Sequence, residues 1–209
     1  MEQNTSLLAA GSTTTPTPSA RATGTGTGVE AREQLASILY PAAPPKPVDE
    51  APNAEVAALR AADPARAMYR PEDQFGPNGG VLRDLALAVN PSASADALQR
   101  QRVALGAVMT DIGMDRGDVG KLAAFAAQYT AKPPTADEKA AHERTVIKEL
   151  RAQYGDAAFA GVLEDAKKLV ARDPRLAGFL DKTGLGSHPW VISRIAELAR
   201  TERGRGRLK

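Results

Sequence analysis

The chain has 209 residues, a formal net charge of +2, no cysteine and two histidines. The lack of cysteine excludes disulfides, thiolate nucleophiles and iron–sulfur ligation, and two histidines argue against a zinc enzyme. The longest apolar runs are far shorter than the roughly 20 residues that span a bilayer, and the first residues lack the basic region of a signal peptide. The composition therefore predicts a soluble protein that does not enter a membrane.

Proline and charge are distributed unevenly along the chain. Ten of the 15 prolines lie in the first 77 residues, which are also poor in large apolar side chains. We therefore expect only the back two-thirds to fold compactly. Residues 1–50 carry a net charge of −2, and residues 151–209 carry a net charge of +5. This basic C-terminal end predicts an acidic partner.

The N-terminal part is predicted to consist of two regions. Residues 1–28 are rich in threonine, proline and glycine and have no apolar face, so we predict a disordered tail there. Residues 29–79 form a Pro-rich segment with short helices predicted at 29–39 and 53–62. Isolated helices of this length are marginal in water, so we expect them to become ordered only on docking.

Two tyrosines of this segment are candidate partner-binding residues. Tyr40 and Tyr69 each follow a helical turn and precede a proline, so the two turns resemble a pair of short docking segments. The alternative is that both are helix stops that carry tyrosine by chance.

Amphipathic helices are predicted throughout residues 80–155, the helical body. The apolar spacing predicts the first three of them over 80–90, 94–112 and 115–131, and Gly113 lies where a C-terminal cap is expected. Thr135 begins the fourth, a largely charged helix, with a capping box. His142 in that helix is predicted to be a surface residue.

Residues 156–209 are predicted to form a compact basic module of three helices. Asp173 followed by proline is typical of a helix start. The module's structural turn precedes the last helix and contains Gly184, Gly186, His188, Pro189 and Trp190. We expect Ser187 or His188 to cap that helix and His188 to pack beside Trp190. No segment alternates with a period of two, so the predicted fold class is all-α, with a flexible N-terminal region.

No pattern in the sequence predicts catalysis, a metal site or a cofactor. Ser187 and His188 lack a third group that would orient the imidazole. The Gly184-Leu185-Gly186 run follows no strand and lacks the third glycine of a dinucleotide fingerprint. We therefore expect a protein that is not an enzyme, with no catalytic, cofactor-binding or metal-binding residues.

The C-terminal end carries the main candidate partner-binding residues. They are Arg200, Arg203, Arg205, Arg207 and Lys209. They follow Ala199, the last apolar position predicted for the core, and are expected to project from the last helix. An acidic protein surface is the favoured partner. The Arg-Gly tract also permits single-stranded nucleic acid, although this end offers only Trp190 for stacking, and a solubilising tail is the remaining alternative.

Four elements of the back half occur together: Ile112-Gly113-Met114, a charged helix that ends at Gly155, the helix 159–170, and the turn Thr183-Gly184-Leu185-Gly186-Ser187-His188-Pro189. With these elements, residues 105–200 resemble the C-terminal region of capsid-assembly scaffolding proteins of tailed bacteriophages. The turn is the most specific element of the resemblance.

The resemblance implies a function in phage head assembly. The major capsid protein is the implied partner, bound reversibly by the basic C-terminal module in the host cytoplasm and the procapsid or virion. Self-association through the amphipathic helices is also expected. The chain is less acidic than this family suggests, and its Thr-, Pro- and Gly-rich tail is another departure. A minor structural or ejection protein retained in the virion therefore stays open, as does a nucleic-acid-binding protein that uses the basic tail.

Overall fold

The computed structural model describes residues 46–64, 71–76 and 80–208. Within these ranges the fold is all-α, as predicted, with no strand. The α-helices are α1 (Ala54–Ala61), α2 (Gly80–Val89), α3 (Ala95–Asp111), α4 (Arg116–Ala131), α5 (Ala136–Tyr154), α6 (Asp156–Arg172), α7 (Pro174–Thr183) and α8 (Pro189–Gly204). Two 3₁₀ turns cover Pro71–Phe75 and Leu185–Ser187. None of the helices in the described ranges is long and apolar enough to cross a membrane.

The helix ends follow the local chemistry predicted from the sequence. Thr135 caps α5 by accepting a hydrogen bond from the Glu138 N–H at 3.2 Å, and Glu138 reciprocates. Asp173 caps α7, with Pro174 at its first turn. Gly113 follows the C-terminal end of α3 and has φ 81°. Glycine adopts this left-handed conformation without steric cost.

One contiguous apolar core joins the helical body to the C-terminal module. Helix α2 packs on α4, α6 packs on α8, and α5 contacts both α6 and α8. Val146 and Leu150 of α5 are buried in the same cluster as Phe159 of α6 and Val191 of α8. The boundary predicted after residue 155 is the junction of α5 and α6, but the two sides share one core.

Part of the Pro-rich segment is docked on the folded helices. We call residues 46–61 the strap. Val48 and Val56 of the strap are buried, and the Asn53 side chain donates a hydrogen bond to the Arg172 carbonyl at 2.7 Å. This corrects the expectation that only the back two-thirds folds compactly, because a few well-placed contacts hold the strap despite its low apolar content.

A glycine in the middle of α7 allows the strap to cross that helix. The Lys46 N–H donates to the Pro174 carbonyl at 3.1 Å. A Cβ atom on Gly178 would lie 2.0 Å from the Lys46 carbonyl oxygen, which is closer than any two such atoms approach. Only glycine therefore fits where the strap backbone passes over α7.

The predicted tail 1–28, the helix 29–39, Tyr40, Tyr69 and Lys209 lie outside the described residues.

Candidate partner-binding site

The basic residues predicted to bind a partner lie on and just after the end of α8. This helix extends to Gly204, so Arg200 and Arg203 belong to it and do not form a projecting tail. The chain then turns back, and Leu208 is buried in the common core. This corrects the expectation that Ala199 is the last apolar position to support the core.

Three of these arginines contact side chains of the same molecule. Arg203 pairs with Asp165 at 2.7 Å, and Arg205 pairs with Glu202 at 3.3 Å. The Arg200 guanidinium lies 4.8 Å from the centre of the Tyr154 ring. The side chains of Arg203 and Arg205 nevertheless remain 51% and 56% exposed. Their carboxylate partners are buried, but more than half of each arginine side chain stays accessible to a partner.

Arg207 differs from the other arginines of this end. Its side chain is exposed and has no ion pair with any residue that the structure describes. Its backbone carbonyl accepts a hydrogen bond from Arg172 Nη1 at 3.5 Å. The backbone of Arg207 is therefore fixed while its charge is available.

A buried ionic centre holds this end of the molecule together. It consists of Arg60, Asp111, Arg172, Asp173, Arg175 and Glu202. Arg172 Nη1 lies 3.1 Å from Glu202 Oε2, and Arg172 Nη2 donates to the Asp111 carbonyl at 3.1 Å. Buried charges are tolerated only when they are paired and hydrogen-bonded, and here three cations meet three anions.

The same centre fastens the strap. The Asp111 carboxylate accepts from Arg60 of α1, with Nε 3.0 Å from Oδ2, and from Arg175 Nη2 at 3.4 Å. Arg175 also binds Asp173, with Nη2 2.7 Å from Oδ2, and its Nη1 reaches the Glu50 carbonyl at 3.5 Å. The ionic centre was not foreseeable from helical periodicity; the only sequence signal is the charged run at 172–175 between two apolar helices.

A groove of about 740 Å³ opens beside this centre. Its walls are Ala58 and Leu59 of α1, Lys168 and Ala171 near the end of α6, and Arg207 and Leu208 of the C-terminal segment. The groove thus combines an apolar lining with cationic side chains. It exists because the strap and the C-terminal segment both dock against α6.

The predicted structural turn is formed as a tight connection between α7 and α8. Gly184 ends α7 in the left-handed region with φ 67°, and Pro189 begins α8. Ser187 Oγ donates to the Gly184 carbonyl at 3.4 Å. Neither Ser187 nor His188 caps α8 with its side chain, so the prediction that one of them does is wrong. Ser187 bonds to Gly184 instead, and the His188 ring stacks on Phe125.

Aromatic rings surround His188 at this turn. Its imidazole stacks on Phe125 with centroids 3.9 Å apart, and Trp190 contacts the same phenyl ring at 5.7 Å. His142 lies 6.1 Å from His188 and places Nδ1 3.2 Å from the Tyr129 hydroxyl. His142 is therefore partly buried and not as fully solvated as predicted, because its ring stacks on Tyr129 of α4.

Burial and, to a smaller extent, the nearby His142 lower the pKa of His188 to about 4. His188 is thus neutral at neutral pH and acts as a packing residue. No group of three or more His, Asp or Glu side chains in the described ranges is arranged to hold a metal ion.

Comparison with known proteins gives no relative for this chain. No protein-family model matches it, and neither curated proteins nor solved structures yield a significant match.

Proposed function

We propose that this chain is a capsid-assembly scaffolding protein of a tailed bacteriophage that binds the major capsid protein through the basic end of α8. The observation that carries the proposal is the exposure of Arg200, Arg203, Arg205 and Arg207 on one short stretch. The ionic centre fixes this stretch to the helical core. A cationic surface held in place in this way is complementary to an acidic protein surface.

The resemblance of residues 105–200 to scaffolding proteins supports the choice of partner. The turn 183–189, its most specific element, directs the chain into α8 and so positions the arginines. Each exposed ion pair contributes at most about 1 kcal/mol. Binding is then weak at each site, sensitive to salt and strengthened by multiple copies, as reversible docking in a procapsid requires.

The test is co-assembly with the major capsid protein of the same phage. Arg200→Glu combined with Arg207→Glu reverses the two of these four arginines that lack a carboxylate partner among the described residues. We expect this double variant to lose co-assembly while it keeps its helical content. The matched control is Arg83→Glu with Lys139→Glu, which makes the same charge change at exposed positions of α2 and α5.

Two outcomes contradict the proposal. Shells of normal size and number built with the double variant would show that the basic end is not the docking element. Tight binding of DNA by the unmodified protein, with no binding to the capsid protein, would replace this function with nucleic-acid binding. If the proposal holds, the mature virion distinguishes the two remaining roles. A scaffold leaves the shell when DNA enters, whereas a minor structural protein stays in it.

A further inference from the structure

We propose that the groove between α1 and the C-terminal segment binds a short partner segment that combines carboxylates with apolar side chains. The inference rests on the proposed function only in taking the partner to be a protein. It assigns a specific site and peptide chemistry to a surface next to the exposed arginines of α8.

The lining of the groove is suited to apolar side chains. Ala58 and Leu59 form the α1 wall, and Ala171 lies on the α6 wall. Leu208, which also belongs to the core, lines the C-terminal side of the groove. The groove is open to solvent on one side and has a volume of about 740 Å³, so a bound segment would lie along it with one face exposed. An amphipathic helix or turn that lays its apolar face into such a groove is a common mode of peptide recognition.

The charges of the groove select for carboxylates. Lys168 and Arg207 line it, and neither has a carboxylate partner in the part of the chain that the structure describes. Arg172 also lines it, but its charge is offset by Glu202 at 3.1 Å. The groove therefore presents two uncompensated cations on its α6 and C-terminal sides.

One acidic residue sets the direction of binding. Glu55 lies on the α1 wall, where it repels an incoming carboxylate. The partner's carboxylates are thus expected to face Lys168 and Arg207, with its apolar side chains toward Ala58 and Leu59. Charge complementarity of this kind fixes orientation as well as partner choice.

The groove is preformed because its α1 wall is anchored. Arg60 pairs with Asp111, and Asn53 donates to the Arg172 carbonyl at 2.7 Å. A wall that is already in place reduces the conformational entropy lost on binding. The strap accordingly has a role in this proposal, since its removal abolishes the site.

The experiment measures fluorescence anisotropy of the full chain with a labelled peptide of about 12 residues, roughly three helical turns. The peptide carries Leu at helical spacing on one face and Glu on the other. Two matched peptides replace every Glu by Gln or every Leu by Ser. At about 0.05 M salt, where charges are little screened, we expect the Leu/Glu peptide to bind at least about tenfold more tightly than either control.

Variants locate the binding on the protein. Ala58→Tyr fills the groove, whereas Ala57→Tyr places the same ring on an exposed neighbouring position that does not line it. We expect only Ala58→Tyr to weaken binding, by about tenfold or more. Lys168→Glu with Arg207→Glu is expected to do the same, while Arg83→Glu with Lys139→Glu has no effect. Thermal unfolding of each variant checks that the fold is intact.

Several results overturn the groove as a partner site. They are equal binding of the three peptides, equal loss in the Ala57→Tyr and Ala58→Tyr proteins, and displacement of the peptide by single-stranded DNA. A gain of binding only after deletion of residues 1–45 also overturns it, because the acidic and apolar stretch at 30–39 of the same chain would then be the occupant.

The two proposals fail separately. If Arg200→Glu alone abolishes co-assembly but the groove variants do not affect peptide binding, the capsid-protein proposal stands and the groove proposal falls. If the peptide binds as expected and the Arg200→Glu and Arg207→Glu variants co-assemble normally, the groove proposal stands and the capsid-protein proposal falls.

Discussion

Arg172 at the end of α6 and Glu202 in the last turn of α8 form an ion pair from which water is almost completely excluded. Their charged atoms lie 3.1 Å apart, and their side chains are only 3% and 6% exposed. The pair sits where the strap, α3 and the C-terminal segment meet. It therefore links the segment that carries the predicted partner-binding arginines to the core.

Removal of one member of this pair is expected to destabilise the protein strongly. Glu202→Gln leaves the Arg172 guanidinium buried without its anion, which costs about 3–5 kcal/mol. Urea unfolding followed by circular dichroism measures the loss. Glu149→Gln, an exposed change on α5, is the control and should shift the free energy of unfolding by less than about 0.5 kcal/mol.

The double variant Arg172→Met with Glu202→Leu separates charge from packing. Replacing both partners by apolar residues of similar size removes the uncompensated charge, so most of the lost stability should return. A double variant as unstable as Glu202→Gln would show that the ion pair is not the source of the effect.

The strap crossing at Gly178 gives a second prediction. Gly178→Ala places a methyl group against the Lys46 carbonyl, so the strap must lift from α7. We expect limited proteolysis to cut within residues 46–61 faster than in the unmodified chain. Gly161→Ala in α6 meets no atom within 4 Å and should stabilise the protein by about 0.5–1 kcal/mol. Unchanged protection of the strap in Gly178→Ala would contradict the crossing.

The helices and their ends were predictable because their signals are local. The capping box at Thr135 needs only residues three positions apart, and Gly113 is read from its position after an apolar stripe. The strap could not be predicted in this way. Asn53 and Arg172 are 119 positions apart, and Arg60 and Asp111 are 51 apart, so no window of sequence contains both partners.

The candidate site was predictable in its position but not in its geometry. Net charge and spacing identify the arginines after residue 199, yet the pairing of Arg203 with Asp165 depends on how α8 packs on α6. An interior glycine such as Gly178 was the one available signal of a close approach between segments. His142 was assigned to the surface because periodicity describes one helix and says nothing about the neighbour that covers its other side.

Phe179 tests whether the C-terminal helices contribute to the shared core. Its side chain has no exposed surface, so Phe179→Ala removes buried apolar area and leaves a cavity at a cost of about 3–5 kcal/mol. Chemical denaturation gives the value. Val103→Ala on α3, at a side chain that is 40% exposed, provides the comparison and should cost well under about 1 kcal/mol. Similar losses in both variants would mean that α7 does not pack in the core.

The pKa of His188 predicts how stability changes with pH. Burial against Phe125 and the nearby His142 lower this pKa from 6.5 to about 4, so the folded state favours the neutral imidazole. Below pH 6.5 the unfolded chain takes up a proton that the folded chain does not bind. The stabilising contribution is thus complete above pH 6.5 and is lost as pH falls toward 4.

We expect this contribution to be about 1–2 kcal/mol, because a partly solvated imidazole receives less than the full effect of the shift. His188→Gln carries no charge at any pH and isolates the effect from the carboxylates that titrate in the same range. Denaturation of both proteins from pH 7.5 to pH 4 should show the unmodified chain losing more stability than His188→Gln, with the difference growing below pH 6.5. Parallel stability curves would show that His188 is protonated equally easily in both states, and hence that the aromatic cluster does not exclude its charged form.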